Sequence, residues 1–257
     1  MIDHRLGFAV ELARKAGDLV RQGYGQTIQA NHKGTLDLVT EYDVRSERLV
    51  TEAIRQAFPE DAILAEESGQ SGTGDLRWLI DPLDGTTNFA HGLPIFCVSI
   101  AYARGNEPLL GVIFDPTRDE LFQTSAGGGA WLNGRRLHVS KETSLSESLL
   151  VTGFPYDIRT NADNNLDHFA AFAMRSRAVR RLGSAALDLA YVAAGRFEGH
   201  WELRLSPWDF AAGILLVREA GGTVTRTDGG PDVFAEPTSL LATNGSVHQE
   251  MLSVLNR

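Results

Sequence analysis

The stretch that decides the fold of this chain is residues 81–89, which read Asp-Pro-Leu-Asp-Gly-Thr-Thr-Asn-Phe. Residues 76–80 before it form an apolar run with one arginine, a pattern that predicts a buried strand. Carboxylate oxygens bind hard divalent cations such as Mg²⁺, and free backbone N–H groups at a turn or helix start bind phosphate. We therefore interpret this segment as a site for a metal-bridged phosphoryl group, although the same residue types also form ordinary turns.

Further acidic residues could complete such a site. Glu66 follows the apolar residues 63–65, and Asp209 opens residues 209–222, which have helical apolar spacing and end in Gly-Gly. Asp43 opens another helical pattern. Each acid also has a simpler interpretation, because Asp43 and Asp209 occupy positions typical of helix caps and Glu66 could be a solvated loop residue.

The order and spacing of these segments resemble the inositol monophosphatase family of Mg²⁺-dependent, lithium-sensitive phosphatases. The first family motif corresponds to residues 81–89, the metal-binding glutamate segment to 66–68, and the second motif to 208–213 with 219–222. Two long, ordered motifs are a more specific signal than a lone glycine-rich loop. The similarity runs from about Phe8 to the C-terminus. It implies an α+β fold, the layered α/β/α/β/α sandwich of the inositol monophosphatase and fructose-1,6-bisphosphatase type.

The resemblance also implies a metal centre. Two or three Mg²⁺ ions are expected in each active site, with Mn²⁺ as a substitute. Glu66, Asp81 and the backbone carbonyl of Leu83 would hold the first ion, and Asp81, Asp84 and Asp209 the second. Such ions neutralise a phosphate monoester, lower the pKa of bound water and stabilise the departing alkoxide, so no covalent intermediate is needed.

The remaining roles that the resemblance implies concern water and substrate. Thr86 and Asp43 would orient the attacking water, which Glu66 also reaches, and Gly85 would offer its backbone N–H to phosphate. The expected substrate-binding residues are Asp84, Gly85, Thr86, Lys33 near the entrance, and Ala185 and Glu202 at the polyol. The preferred reaction is hydrolysis of inositol 1-phosphate to inositol and phosphate.

Composition limits the partners. The net charge is −9, whereas a generic nucleic-acid binder would be basic. No run approaches the roughly 20 apolar residues that span a bilayer. Cys97 is the single cysteine, which excludes an internal disulfide and favours a reducing compartment. We expect a cytoplasmic enzyme for a small phosphorylated polyol, without nucleic-acid or membrane partners, and the resemblance alone implies a homodimer.

The chain of 257 residues is long enough for one large core or two packed halves. The Ser-rich residues 143–148 are the best internal boundary. We expect an N-terminal α+β half, residues 1–145, with most metal ligands, and a C-terminal α/β half, residues 146–257, with Asp209 and substrate contacts, forming one catalytic unit. The main elements predicted are strands at 76–81, 95–103, 109–114 and 149–152, a two-residue hairpin loop at 133–134, and helices at 163–175, 184–194 and 246–256.

Three alternatives stay open. Asp-Gly-Thr is similar to the motif of haloacid-dehalogenase-type phosphatases, which form an aspartyl phosphate, but their acids are two residues apart and near the N-terminus. Relatives with the same fold cleave fructose 1,6-bisphosphate, histidinol phosphate or adenosine 3′,5′-bisphosphate, and a dual inositol and fructose phosphatase is one version of this alternative. The third is a non-catalytic metal-binding regulatory protein, although competent residues fill every expected ligand position.

Overall fold

A computed structural model of the chain describes residues 2–26, 30–32 and 38–256, so Lys33 lies outside the described residues. The helices of the described part are α1 (Ile2–Gly23), α2 (Glu41–Ala57), α3 (Thr86–Ala90), α4 (Leu166–Ala173), α5 (Ala185–Ala193), α6 (Pro207–Glu219) and α7 (His248–Leu255), with a short 3₁₀ helix at Leu145–Glu147. The strands are β1 (Ala30–His32), β2 (Leu38–Thr40), β3 (Ala62–Ala65), β4 (Gly69–Ser71), β5 (Leu76–Asp84), β6 (Cys97–Arg104), β7 (Glu107–Asp115), β8 (Glu120–Ser125), β9 (Gly129–Leu132), β10 (Arg135–Arg136), β11 (Leu149–Thr152), β12 (Ala178–Arg180), β13 (Gly199–Leu203), β14 (Thr223–Thr225) and β15 (Ser239–Thr243).

Most of these strands form two sheets. The order in the larger sheet is β10-β9-β8-β7-β6-β5-β3-β4, and its neighbours are antiparallel except for β3 and β5, which run parallel. The order in the smaller sheet is β12-β11-β13-β15-β14, where β11 is parallel to β12 and β13, and β15 is antiparallel to β13 and β14. β1 and β2 form a separate antiparallel pair.

Helices cover both faces of each sheet. α1 and α2 pack on one face of the larger sheet around Val50 and Trp78. α5 and α6 lie between the two sheets, in a core that includes Ile113 and Leu189. α4 and α7 pack on the outer face of the smaller sheet around Trp201. This order of layers confirms the α/β/α/β/α sandwich.

The sequence pattern of each element agrees with its layer. α1 and α2 are amphipathic because only one face meets the sheet. α6 is buried almost all round because it lies between two sheets. β6 and β7 are nearly continuous apolar runs because helices cover both of their faces.

Some predicted boundaries differ from the observed ones. The strand predicted at 95–103 begins at Cys97, because the Ile95 carbonyl accepts a hydrogen bond from the Asn88 side chain in α3 instead of pairing in the sheet. The helix predicted at 163–175 spans only Leu166–Ala173, because Asn165 before it has a left-handed φ of 70°. The hairpin loop at 133–134 is confirmed.

The division at residues 145 and 146 stays a prediction. The core between the two sheets contains residues from both sides of this boundary, including Ile113 and Leu189. The two predicted halves therefore share one packed interior, in which the end of β5 lies close to the starts of α5 and α6.

Candidate active site

The end of β5 places the first two predicted metal ligands. A bulge shifts the register between Asp81, which pairs with Ser99, and Asp84, which pairs with Cys97. Pro82 lies in this bulge, where its missing N–H costs no ladder hydrogen bond. Side chains three positions apart would face opposite sides of a regular strand. The bulge lets Asp81 and Asp84 line the same cavity.

Gly85 turns the chain from β5 into α3. Its φ is 97°, in the left-handed region, and an added Cβ would lie 2.8 Å from the carbonyl oxygen of Ile95. Glycine meets both conditions without moving the backbone. The turn places Gly85 and Thr86 in the cavity wall directly after Asp84.

A hydrogen bond joins Thr86 to Asp43. Thr86 Oγ1 donates to Asp43 Oδ1 at 2.8 Å and also lies 3.0 Å from the carbonyl oxygen of Leu83. The other Asp43 oxygen accepts from the backbone N–H and the hydroxyl of Thr40, at 2.8 and 2.5 Å. Thr40 is the N-cap of α2 and Asp43 completes its capping box three positions later, so the simpler interpretation of Asp43 as the cap itself does not hold. Burial raises the pKa of Asp43, and the hydrogen bonds from Thr40 and Thr86 oppose that rise.

Asp209 lies in the first turn of α6 and lines the cavity. Ser206 is the N-cap, and its backbone N–H donates to Asp209 Oδ2 at 2.7 Å. Pro207 occupies the first helical position, where its missing N–H is not needed. Asp209 is therefore part of a capping box rather than the cap itself, and this role holds its carboxylate at the cavity.

Glu66 follows β3 and is held through its backbone. Its N–H donates to the carbonyl oxygen of Ile80 at 3.2 Å. The next two N–H groups, of Glu67 and Ser68, donate to the carboxylate of Glu47 at 2.6 and 2.8 Å. Glu47 is buried on α2, and it fixes the loop that presents Glu66 to the cavity.

The start of α5 reaches Asp84 from the second half of the chain. Ser184 Oγ and the backbone N–H of Ala186 donate to Asp84 Oδ2 at 2.6 and 2.8 Å. Cys97 lies behind them with its Sγ 3.7 Å from the same oxygen. Burial raises the pKa of the Cys97 thiol well above its usual value, which supports its interpretation as a small buried hydrophobe.

Glu202 lies on β13 and forms part of the cavity wall. It is buried. An added Cβ on Gly153 would lie 1.8 Å from Glu202 Oε1, so the side chain packs directly on that glycine. Burial, and next the charge of Asp84, raises the pKa of Glu202 to about 8, while Arg181 opposes the rise.

One cavity of about 320 Å³ brings the predicted residues together. Asp43 reaches it through its hydrogen bond to Thr86, and Lys33 lies outside the described residues. The predicted residues that line it directly are Glu66, Asp81, Leu83, Asp84, Gly85, Thr86, Ala185, Glu202 and Asp209.

Known proteins resemble this chain over its whole length. The profile of the inositol monophosphatase family matches residues 1–257. A Synechocystis inositol-1-monophosphatase is 47% identical over 97% of this chain and 88% of its own. The Escherichia coli Nus factor SuhB is 44% identical over 96% and 94%. The solved inositol monophosphatase of Anabaena (Nostoc) has 46% identity and a TM-score of 0.91, covering 99% of this chain and 96% of its own. The chain belongs to the inositol monophosphatase family.

Membership of the inositol monophosphatase family makes the chain a phosphatase that acts on small phosphorylated substrates. The family is generally metal-dependent. In residues 2–26, 30–32 and 38–256, no helix has the length and apolar content needed to cross a membrane.

Four carboxylates, which we call the carboxylate cluster, surround one part of this inositol monophosphatase cavity: Glu66, Asp81, Asp84 and Asp209. Burial, and next the charge of Glu66, raises the pKa of Asp81 well above its usual value. Burial and the charge of Asp84 do the same for the pKa of Asp209. Carboxylates this close repel one another, and a divalent cation removes the repulsion.

The donor set fits a hard cation by its chemistry. Every donor is oxygen, which suits Mg²⁺ or Mn²⁺. Across the described ranges, no three His, Cys, Asp or Glu side chains already stand as ligands of one ion.

Sequence reasoning missed several residues of this site. Glu47 lies four positions after Asp43 on the buried face of α2, and an acid on such a face is a signal that could have found it. Asp188 is likewise an acid on the fully buried helix α5. Arg181 also lines the cavity, although a pair of arginines such as 180–181 is more often an exposed charge than part of a site.

Proposed function

We propose that the chain hydrolyses inositol 1-phosphate to inositol and inorganic phosphate with Mg²⁺ and without a covalent intermediate. The observation that supports this most is a single cavity lined by the carboxylate cluster, the Gly85 turn, Ala185 and Glu202. The name of the Synechocystis relative, inositol-1-monophosphatase, supports the same substrate.

The carboxylate cluster and the Leu83 carbonyl would hold two or three Mg²⁺ ions, with Mn²⁺ as a substitute. Glu66, Asp81 and Leu83 would bind one ion, and Asp81, Asp84 and Asp209 another. Bound ions would supply charge neutralisation of the phosphate and a lower pKa for water.

Thr86 and Asp43 would orient the attacking water. Thr86 Oγ1 gives its hydrogen to Asp43 Oδ1, which leaves its lone pairs free to accept a hydrogen from water. Asp43 is fixed from the other side by Thr40, so the direction of this relay is set before substrate binds. Gly85 and Thr86 offer backbone N–H groups to the phosphate oxygens.

Ala185 and Glu202 would contact the polyol. Glu202 presents a buried carboxyl group with a pKa of about 8, which can accept or donate a hydrogen bond to a hydroxyl near neutral pH. A polyol has only such hydroxyls to offer. The part of the cavity wall formed by Ala185 and Glu202 therefore suits a neutral leaving group better than a second phosphate.

The homodimer and the cytoplasmic location belong to the same proposal. Support for the dimer comes from family resemblance and from the exposed apolar side chains Leu166 and Met174 at the two ends of α4. Light scattering on purified protein tests the dimer, and a monomer at micromolar concentration would exclude it. Fractionation of the source cell tests the location.

A phosphate-release screen tests the reaction. Inositol 1-phosphate, fructose 1,6-bisphosphate, histidinol phosphate and adenosine 3′,5′-bisphosphate are compared at equal concentration with Mg²⁺ and with EDTA. We expect the highest kcat/KM with inositol 1-phosphate. A higher value with fructose 1,6-bisphosphate would replace the proposed substrate, and a trapped phosphoaspartate would overturn the mechanism.

A second candidate function is that of a Nus factor, which the name of the Escherichia coli relative supports. Such a role would not need the carboxylate cluster. Replacing the chain in its own cell by the Asp209→Asn variant separates the two functions. If the variant cannot replace the parent protein in the cell, the phosphatase function is favoured. If the variant replaces it fully, the Nus-factor function is favoured.

A further inference from the structure

β13 places two titratable side chains on one face. His200 and Glu202 are two positions apart and so share a face, opposite to Trp201 in the outer core. His200 is 0% exposed, and Asp188 on α5 is 1% exposed. His200 Nε2 lies 3.6 Å from Glu202 Oε2, and Nδ1 lies 4.0 Å from Asp188 Oδ2. The imidazole therefore stands between two carboxyl groups that both line the cavity.

Three buried polar atoms in this region have no hydrogen-bond partner within the described part of the chain. Among the described residues, neither ring nitrogen of His200 nor Oδ1 of Asp188 has a hydrogen bond. The Val151 backbone approaches the ring but outside hydrogen-bond geometry. Buried polar atoms nearly always have a partner, and a shift of the side chains by about 0.4 to 0.8 Å would bring the two separations of 3.6 and 4.0 Å into hydrogen-bond range. The two carboxyl groups are therefore the natural partners of the ring.

Imidazole is the side chain that can connect two such groups. A neutral ring donates at one nitrogen and accepts at the other. Nδ1–H would donate to Asp188, and Nε2 would accept from a protonated Glu202. Burial raises the pKa of both acids and lowers the pKa of His200 to about 3, which favours this neutral ring beside a protonated acid. The other charged groups that act on the two acids are Asp84 and Arg181.

We propose that His200 is a positioning residue, which links Asp188 to Glu202 behind the cavity wall and thereby fixes the carboxyl group that contacts the polyol. We call Asp188, His200 and Glu202 the His200 group. The statement about the polyol rests on the proposed function, whereas the buried link does not. Without the link, the Glu202 carboxyl group can rotate away from the orientation that meets substrate hydroxyls.

Three replacements of His200 test the link through kinetics. Gln places an amide near the position of Nε2, Asn places one near Nδ1, and Phe keeps the ring volume without polar atoms. We expect His200→Gln to keep a near-parent KM for inositol 1-phosphate, because it can still bond Glu202. His200→Asn and His200→Phe should raise KM about 10-fold, the factor for one lost hydrogen bond, with kcat nearly unchanged.

His248 is the matched control. It is 3% exposed, but its nitrogens already lie 3.1 and 3.0 Å from the hydroxyls of Thr225 and Thr243. His248→Phe should lower the melting temperature and leave KM as it is. An equal rise of KM in this control would show that any lost buried histidine acts through stability alone, and would overturn the positioning role.

Side-chain ¹⁵N NMR tests the link without any activity. We expect one His200 tautomer, protonated at Nδ1, that does not change between pH 5 and 7, where Glu202 keeps its proton in the parent protein, and whose ¹⁵N shifts differ in Glu202→Gln. A ring that titrates in this range, or one whose ¹⁵N shifts are the same in Glu202→Gln as in the parent protein, would overturn the proposal. If inositol 1-phosphate is not cleaved, the NMR result still decides the link, so the two failures are distinguishable. If His200→Phe does not fold, the comparison of His200→Asn with His200→Gln gives the kinetic answer.

Discussion

The carboxylate cluster and the His200 group are both acidic and both lie at the cavity, but they are held differently. In the cluster, Asp81, Asp84 and Asp209 each accept a hydrogen bond from a backbone N–H at 2.7 to 3.0 Å. In the His200 group, the ring nitrogens and one Asp188 oxygen have no such partner among the described residues. Backbone donors favour the ionised form, but burial and the neighbouring charges outweigh them in Asp81 and Asp209, so these carboxylates need a counter-charge to stay ionised. In the His200 group, Glu202 keeps its proton near neutral pH, because its pKa is about 8.

This difference predicts different responses to metal. The cluster needs a counter-charge from outside the protein, whereas the His200 group can neutralise itself by protonation. Changes in metal should therefore act on the cluster, and changes in pH should act on the His200 group.

The largest expected effect is the loss of activity without metal. EDTA should abolish phosphate release, and Mg²⁺ or Mn²⁺ should restore it. Metal binding displaces protons from carboxylates whose pKa is raised, as in Asp81 and Asp209, so the affinity for Mg²⁺ should increase with pH. Thermal shift should show stabilisation by Mg²⁺. Full turnover in metal-free buffer would show that the carboxylate cluster does not depend on a metal ion.

Asp209→Asn should have the next largest effect. The Asn side-chain oxygen can still accept the hydrogen bond from the Ser206 backbone N–H, but the change removes one charge from the cluster. We expect kcat to fall on the order of 10²-fold or more, about 2.7 kcal/mol of barrier, with little change in melting temperature. Asp167→Asn, in the first turn of α4, is the matched control and should keep full kcat. Near-normal turnover of Asp209→Asn would leave that residue with a capping role only.

The two regions also differ in how far the sequence predicts them. The cluster follows from local patterns, because a strand end, a glycine turn and a capping box set the positions of Asp84, Gly85 and Asp209 within a few residues. The His200 group depends on how β13 packs against α5, and no local pattern joins Asp188 to His200. The layers of the fold could be predicted from the family resemblance. The burial of Glu202 could not, because it depends on how the sheet that contains β13 assembles.

Thr86→Ala should affect the chemical step more than binding. The change removes the hydroxyl that donates to Asp43 at 2.8 Å and leaves the backbone N–H in place. We expect kcat to fall on the order of 10²-fold, the cost of a misplaced reacting group, with KM little changed, since the lost contact matters mainly in the transition state. Thr51→Ala removes a helix hydroxyl that contacts Arg48 in α2 and should leave kcat unchanged. Unchanged kcat with raised KM for Thr86→Ala would assign Thr86 to binding.

Glu202→Gln should change substrate preference by a smaller amount. The loss of a hydrogen-bonding carboxyl group should raise KM for inositol 1-phosphate, at a cost of roughly 1–3 kcal/mol. With fructose 1,6-bisphosphate the variant should lose less or even gain, because a repulsive charge is absent. The pKa of about 8 means that this charge is present mainly at higher pH, so the gain should be larger at pH 9 than at pH 7. Equal effects on both substrates would show that Glu202 does not select between them.

The last expected effect concerns stability rather than activity, and it is the pH dependence of unfolding at Glu202. Its pKa rises from 4.5 to about 8 in the folded protein because the side chain is buried. Between these values the folded protein keeps a proton that the unfolded chain has lost, so this residue lowers the free energy of unfolding as pH rises, by up to about 1.4 kcal/mol per pH unit. Glu202→Gln has no such proton to lose.

Urea denaturation with EDTA present measures this difference. The free energy of unfolding of Glu202→Gln minus that of the parent protein should increase from pH 5 to pH 8 and level off above it. Glu142→Gln is a control of opposite sign, because backbone N–H groups of Ser144 and Thr143 lower the pKa of Glu142, so its effect falls below pH 4.5 and the difference stays flat from pH 5 to pH 8. A flat difference for Glu202→Gln as well would mean that Glu202 is ionised throughout. The His200 group would then need a counter-charge from outside, as the carboxylate cluster does.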